Sequence, residues 1–85
     1  MTLEESNKRV MEIHEMLKKK GADQNSSGLT IMMLWDDIEL TDIVMSKLNK
    51  MSQDEKDRMT IQDVEDLVLT EEHKIHKARY SQKNR

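Results

Sequence analysis

Residues 30–50 contain neither proline nor glycine, and their apolar side chains recur at spacings of three, four and six. Such spacings place side chains on one face of an α-helix. No part of the chain alternates apolar and polar residues as a half-buried strand does, and no Asn-Gly pair indicates a hairpin. The sequence therefore predicts an all-α fold, a small helical bundle of three long helices and one short helix.

The first long helix is predicted over residues 3–20. Thr2 followed by Glu5 forms a capping-box pattern at its start. Gly21 supplies the left-handed residue that commonly ends a helix. Residues 22–29, which are rich in Asn, Ser and Gly, are predicted to form a loop.

The second long segment, residues 30–50, admits two interpretations. It reads as a single helix because its apolar periodicity is continuous. It also reads as two helices with a break near residues 36–41, because Asp36 with Glu39 forms a second capping-box pattern and Thr41 is a further potential cap. The sequence leaves both interpretations open.

Two more caps predict the rest of the chain. Ser52 with Glu55 is a capping-box pattern, which predicts a short helical turn over residues 53–58. Thr60 with Asp63 then begins the last long helix.

The last helix should run to about Arg79, where its apolar face ends. We therefore expect one helical domain over residues 1–79. Residues 80–85 are expected to form a basic, frayed C-terminal tail.

The apolar residues suffice for one thin core. Phe and Cys are absent, and eight methionines supplement a modest number of Leu, Ile and Val. Chains of 85 residues commonly gain stability from disulfides, metals or self-association, and here no disulfide can form. We therefore expect a homodimer or a protein partner.

The residue types that catalysis needs are sparse. There is no Cys and no Gly-x-Ser-x-Gly nucleophile pattern, and the two glycines form no phosphate-binding loop. We therefore predict that the chain is not an enzyme and holds no cofactor. The longest apolar run has five residues, too few to span a membrane, and no charged leader precedes it, so a cytoplasmic location is expected.

Charge divides the chain into an acidic body and a basic end. Residues 1–73 carry 9 basic and all 17 acidic residues, whereas residues 74–85 carry five basic residues and no acid. A basic end of this kind permits weak, nonspecific nucleic-acid binding, which is the alternative function. Its candidate contacts are Lys74, Lys77, Arg79, Tyr80, Lys83 and Arg85.

Metal-binding and carrier functions are remote alternatives. His73 and His76 lie one helical turn apart, but two imidazoles do not make a metal site, so no metal ligands are predicted. Residues 51–68 loosely resemble the second half of an acyl carrier protein. That family attaches phosphopantetheine to a serine in Asp-Ser-Leu, a motif that is absent here, and the nearest candidate is Ser27 in Ser-Ser-Gly.

The run Ile31–Trp35 is apolar around most of a helix circumference. Only one side of such a helix can enter the core of its own chain, so the remainder should meet another helix, another protomer or a partner. Methionine adapts to irregular surfaces and tryptophan often anchors interfaces. Met32, Met33 and Trp35 are therefore the predicted contact residues. The alternative is that the whole run lies in the core.

The function predicted from these features is a non-enzymatic protein–protein interaction module. It would be a small regulator, adaptor or inhibitor, such as phages and mobile elements encode, acting as a homodimer on a larger, basic partner protein. Acidic residues would steer that partner through long-range electrostatic attraction. The predicted steering face consists of Asp36, Asp37, Glu39, Asp63, Glu65 and Asp66.

Overall fold

The described part of the chain consists of helices joined by short turns. The computed structural model describes residues 1–83, apart from the side chains of Ser26 and residues 81–83. The helices are α1 (Leu3–Lys19), α2 (Gln24–Leu34), α3 (Ile38–Asn49), α4 (Gln53–Arg58) and α5 (Ile61–Lys83). The prediction of an all-α bundle is confirmed, with two helices, α2 and α3, in place of a single long helix over residues 30–50.

Helix α1 forms as the sequence predicts. The Thr2 hydroxyl accepts a hydrogen bond from the backbone N–H of Glu5 at 3.2 Å, which satisfies one of the free donors at the helix start. Gly21 adopts φ 91°, a left-handed conformation in which a side chain would be strained. The chain turns there and α2 begins at Gln24.

The prediction of a loop over residues 22–29 is wrong, because α2 begins inside it. Asn, Ser and Gly are weak helix formers, so local propensity argued against a helix. Tertiary packing overrides that propensity. Ser27 and Thr30 are buried on the same side of α2 as Leu34, which is fully buried in the core.

The segment 30–50 is two helices, and the break lies at Asp36. This residue has φ 62°, the only non-glycine residue with positive φ in the described chain. A left-handed residue ends α2, and Asp37 then caps α3 by accepting a hydrogen bond from the N–H of Leu40 at 3.0 Å. The expected capping box of Asp36 with Glu39 is displaced by one residue, because Asp37 is the cap.

Both remaining caps are confirmed. Ser52 and Glu55 form a reciprocal capping box at the start of α4. At the start of α5 the backbone N–H of Thr60 donates to Asp63 Oδ2 at 2.9 Å, and the backbone N–H of Asp63 donates to Thr60 Oγ1 at 3.1 Å. Helix α5 was expected to end near Arg79, but it continues to residue 83, the last residue whose backbone is described.

Helices α2 and α3 each pack against α1 and α5, which gives a four-helix arrangement with α4 at one end. Lys20, beyond the end of α1, donates to the Met59 carbonyl at 2.7 Å, just before α5 begins. At the opposite end, Arg79 on α5 contacts Glu39 in the first turn of α3 at 2.7 Å. Helix α5 therefore runs antiparallel to α3. Helix α2 leads from the end of α1 to the start of α3, so α2 and α5 run in the same direction.

The core is aliphatic and small. Five of the eight methionines lie at its edge rather than at its centre, half-buried against the aliphatic residues: Met16, Met33, Met45, Met51 and Met59. The buried apolar residues are Val10, Ile13, Leu17, Leu34, Leu40, Val44, Leu48, Val64, Val68 and Ile75.

One carboxylate is buried where α3 and α5 meet. Glu71 on α5 is 5% exposed, and its Oε1 contacts Nζ of Lys47 on α3 and, at 3.4 Å, Nζ of Lys74 one turn along α5. The hydrogen bond from Lys47 lowers the pKa of Glu71 most strongly, burial opposes that shift, and Lys74 adds to the lowering. The pKa of Glu71 therefore lies below its ordinary value, and the carboxylate is charged at neutral pH.

Candidate interaction surface

Helix α2 differs from the other helices in having no charged residue. From Gln24 to Trp35 the sequence contains no Asp, Glu, Lys or Arg, although 36% of the whole chain is charged. The helix lies between α1 and α5 and contacts both. Its uncharged character therefore extends to the side that faces away from the bundle.

From Leu29 onward the outward side of α2 is apolar, whereas Gln24 and Asn25 in its first turn are exposed, polar and uncharged. Leu29 is 63% exposed, Met32 is 76% exposed and Trp35 is 44% exposed. These residues are spaced three apart, which places their side chains along one side of the helix. Trp35 continues the helical pattern, because its N–H donates to the Ile31 carbonyl at 2.8 Å. Together with Gly28, which precedes Met32 by one turn, they form what we term the α2 face.

The opposite side of the same helix belongs to the core. Ser27, Thr30 and Leu34 are all buried there. A helix that carries no charge on either side and exposes large apolar residues on its outer side is typical of a helix covered on both sides. In a single copy of this chain, only the inner side is covered.

The predicted contact residues do not all lie together. Met32 and Trp35 lie on the α2 face, whereas Met33 is half-buried and packs against the core. Leu29 belongs to the face but was missed, because it fell in the predicted loop. The spacing of three from Leu29 to Met32 and from Met32 to Trp35 was the signal that could have identified it.

A groove of about 200 Å³ runs beside the α2 face, between α1 and α2. Apart from its chain neighbours and the backbone of its own helix, nothing lies within 4 Å of the position that a Cβ atom would take at Gly28, so the space over this glycine is open. In the wall of the groove, the Nδ1 atom of His14 is buried without a hydrogen-bond partner among the described residues. The groove is lined by Met11, His14, Gln24, Ser27, Gly28 and Ile31.

The structure does not bring the predicted acidic steering residues onto one surface. Three of them lie at the turn from α2 to α3, and the other three lie in the first two turns of α5, at the opposite end of the bundle. Helix α1 spans that distance with 17 residues, about 25 Å. The two groups are Asp36, Asp37 and Glu39, and Asp63, Glu65 and Asp66.

Several of these acids have structural partners. Asp37 caps α3, and Asp63 accepts from the Thr60 N–H at the start of α5. Glu39 is paired with Arg79, a contact that raises the pKa of the guanidinium. A residue of the acidic set thus meets a residue of the basic end within the same chain.

The basic end is also partly paired. Lys74 contacts the buried Glu71, and Arg79 contacts Glu39. Lys77 and Tyr80 are exposed on α5. The side chain of Lys83 and the whole of Arg85 lie outside the described residues.

The remaining candidate residues occupy separate places. His73 and His76 are exposed on α5, and the described residues contain no group of three or more His, Cys, Asp or Glu side chains that could hold a metal ion. Ser27 is 3% exposed on the inner side of α2. A serine in that position cannot carry a phosphopantetheine group without opening the core.

A larger groove lies between α1 and α4. Its lining contains three acids and three lysines, so opposite charges are equally represented. Lys20 in this groove is engaged in holding α4, through hydrogen bonds of 2.7 Å to the carbonyls of Lys56 and Met59. The groove therefore has neither the apolar lining nor the single sign of charge that would select a ligand.

Comparison of the chain with protein-family models, with curated proteins and with solved structures gives no match. None of the described helices combines the length and the apolar character needed to cross a bilayer.

Proposed function

We propose that this chain is a non-enzymatic protein–protein interaction module that forms a homodimer through the α2 face. The observation that supports the proposal is the exposure of Leu29, Met32 and Trp35 on the outer side of an uncharged helix. Scattered exposed apolar residues are ordinary, but three in one row on a helix without charges are typical of an interface.

Covering this face is energetically favourable. Burying a leucine or methionine side chain contributes about 1.5–3 kcal/mol relative to leaving it in water. Leu29 and Met32 are both more than half exposed, so most of that contribution is available to association. Trp35 adds a large side chain of the type that dominates binding energy at interfaces.

The total surface also favours association. The chain exposes 6099 Å², whereas a compact folded monomer of 10.1 kDa exposes roughly 5,300 Å². The difference of about 800 Å² means that this chain leaves more surface in water than a compact monomer of its size. The α2 face and the end of α5, where Tyr80 is 62% exposed, both contribute to it.

A second copy is a better occupant of the α2 face than a basic protein. The face itself is uncharged, and the acids expected to steer a basic partner lie at opposite ends of the bundle. A second α2 face matches the first in being uncharged and in exposing large apolar side chains. Regulation of a larger, basic partner stays a prediction that rests on the overall acidic charge.

The proposal is tested by light scattering over a dilution series, with circular dichroism to confirm folding. Met32→Glu places a charge at the most exposed point of the face, where it disturbs no core contact. Ser46→Glu is the matched control, because it adds the same charge at an exposed position on α3. We expect the wild type and Ser46→Glu to form dimers, and Met32→Glu to be a folded monomer.

A wild-type chain that stays monomeric at millimolar concentration contradicts the proposal. Dimers that persist unchanged in Met32→Glu also contradict it, because they would place the interface elsewhere. Equal weakening by both glutamate substitutions would mean that net charge, rather than the α2 face, controls association.

A further inference from the structure

Gly28 lies in the interior of α2, where folding of a single copy does not require a glycine. A mid-helix glycine lowers helix stability relative to alanine, because it has more conformational freedom to lose. Its φ is not positive, and a Cβ atom added there would meet nothing within 4 Å beyond its chain neighbours and its own helix backbone. Neither backbone conformation nor packing within the chain therefore accounts for this residue.

Close approach of a second helix does account for it. Glycine permits close contact between helices because it presents no side chain at the crossing point. The space above Gly28 continues into the groove between α1 and α2, whose walls include Met11 and Ile31. An apolar side chain from outside the chain could enter this space.

The side chain that fits is already on the same face. Met32 follows Gly28 by one helical turn and is the most exposed of the large apolar residues described. If two α2 helices pack antiparallel about a twofold axis near residue 30, position 28 of each copy faces position 32 of the other. Gly28, the smallest residue of the face, then faces Met32, the most exposed one. The contact occurs twice, once in each direction, as a twofold-symmetric interface requires.

We propose that in the homodimer Met32 of each copy enters the groove over Gly28 of the other copy. The inference rests on the proposed function and specifies how the two α2 faces meet. Methionine suits such a contact, because its unbranched side chain adapts to an irregular space. The arrangement is a reciprocal knob-into-hole contact between two helices.

The same arrangement has an electrostatic consequence. Each copy carries a net charge of −3, so two copies repel each other when they associate. Because salt screens repulsion between like charges, dimer affinity should rise with ionic strength rather than fall.

The test uses Gly28→Ala and Gly28→Leu beside the wild type, with the dimer dissociation constant measured by sedimentation equilibrium. We expect the constant to rise for Gly28→Ala, and to rise by at least about tenfold for Gly28→Leu. In the monomeric Met32→Glu background, Gly28→Ala should instead raise the thermal unfolding midpoint, because alanine is the better helix former and has room. Weaker association combined with a more stable monomer separates an interface role from a folding role.

The absence of cysteine from the chain allows a second measurement. Gly28→Cys and Met32→Cys chains are mixed and oxidised, and the disulfide-linked dimer of mixed mass is followed. We expect it to form faster than in a mixture of Gly28→Cys with Ser46→Cys, whose second cysteine lies on α3.

Two outcomes separate this inference from the proposed function. If Met32→Glu abolishes the dimer but Gly28→Leu dimerises as tightly as the wild type, the groove contact is wrong and the α2 face stands. If the wild type never dimerises, both proposals fail. Dimer affinity that falls with added salt would mean that attraction between charged groups holds the two copies together, which contradicts a contact made by uncharged faces.

Discussion

Asn7 and Asp36 are joined by two hydrogen bonds across the gap between α1 and the end of α2. Asn7 Nδ2 donates to Asp36 Oδ1 at 3.0 Å, and the backbone N–H of Asp36 donates to Asn7 Oδ1 at 3.1 Å. Asp36 is also the residue with φ 62°, so the pair holds the strained point at which the chain leaves α2. Trp35, the last member of the α2 face, directly precedes that point.

Asn7→Ala should therefore destabilise the protein, although the residue is outside the core. Two hydrogen bonds are lost and the left-handed conformation of Asp36 loses its support, so we expect the free energy of unfolding to fall by about 1–2 kcal/mol. Urea denaturation measures the change. Asn49→Ala, at an exposed asparagine on α3, is the control and should stay within about 0.5 kcal/mol of the wild type. Equal effects at both positions would show that the Asn7 pair has no special role.

Lys20 should control the local stability of α4. This helix has no buried residue, and Lys20 Nζ donates to the carbonyls of Lys56 and Met59 at its C-terminal end. Lys20→Met keeps the length of the side chain but removes the donor. We expect amide exchange over residues 53–59 to accelerate about tenfold, because a hydrogen bond from a charged group contributes more than 1 kcal/mol, while α1, α3 and α5 keep their protection.

The exposed neighbour Lys19 provides the matched control for this measurement. Lys19 lines the same groove, but no hydrogen bond from it to α4 is described, so Lys19→Met removes the same charge and exchange in residues 53–59 should not change. Uniform loss of protection in Lys20→Met would instead mean that α4 unfolds only together with the whole bundle.

Glu71 should make stability depend on pH in the acid range. Its pKa is lowered by the hydrogen bond from Lys47, against the opposing effect of burial and with help from Lys74. The folded state therefore binds a proton at Glu71 less readily than the unfolded state does. The stabilisation is fully present above the ordinary pKa of glutamate, about 4.3, and is lost as the pH falls through the lower folded value.

Glu71→Gln should remove this contribution. The variant should be less stable than the wild type at pH 7, and the difference should shrink as the pH falls below about 4. Unfolding by urea at a series of pH values measures both. Glu72→Gln changes the adjacent carboxyl, for which no partner is described, and should leave the pH profile close to that of the wild type. A constant difference between Glu71→Gln and wild type across the series would contradict the role of the charge.

The caps of α1, α4 and α5 were predictable from sequence because each depends on residues three apart. Thr2 with Glu5, Ser52 with Glu55, and the start of α5 require no knowledge of the rest of the chain. Helix α2 was missed because it depends on contacts with residues far away in the sequence. Its first half has poor helix formers, and it is held by the burial of Ser27 and Thr30 against other helices.

The candidate surface was predictable only in part, for the same physical reason. The apolar run identified Met32 and Trp35, because five consecutive apolar residues must present some side chains outward. The sequence does not show how α2 is rotated against the core, and that rotation decides that Met33 packs inward while Leu29 is exposed. The link between Asn7 and Asp36 joins residues far apart in sequence, and local patterns do not encode such pairs.

Trp35 permits the most direct test of dimerisation through the α2 face, because it is the only tryptophan of the chain and lies on that face, 44% exposed. Its fluorescence emission and the mass from light scattering are measured together, from about 1 μM to 1 mM protein. We predict that emission shifts to shorter wavelength over the range in which the mass doubles, and that Met32→Glu shows neither change. Dimerisation through the α2 face is contradicted if the mass doubles with no shift in the emission of Trp35, or if the mass does not double at all.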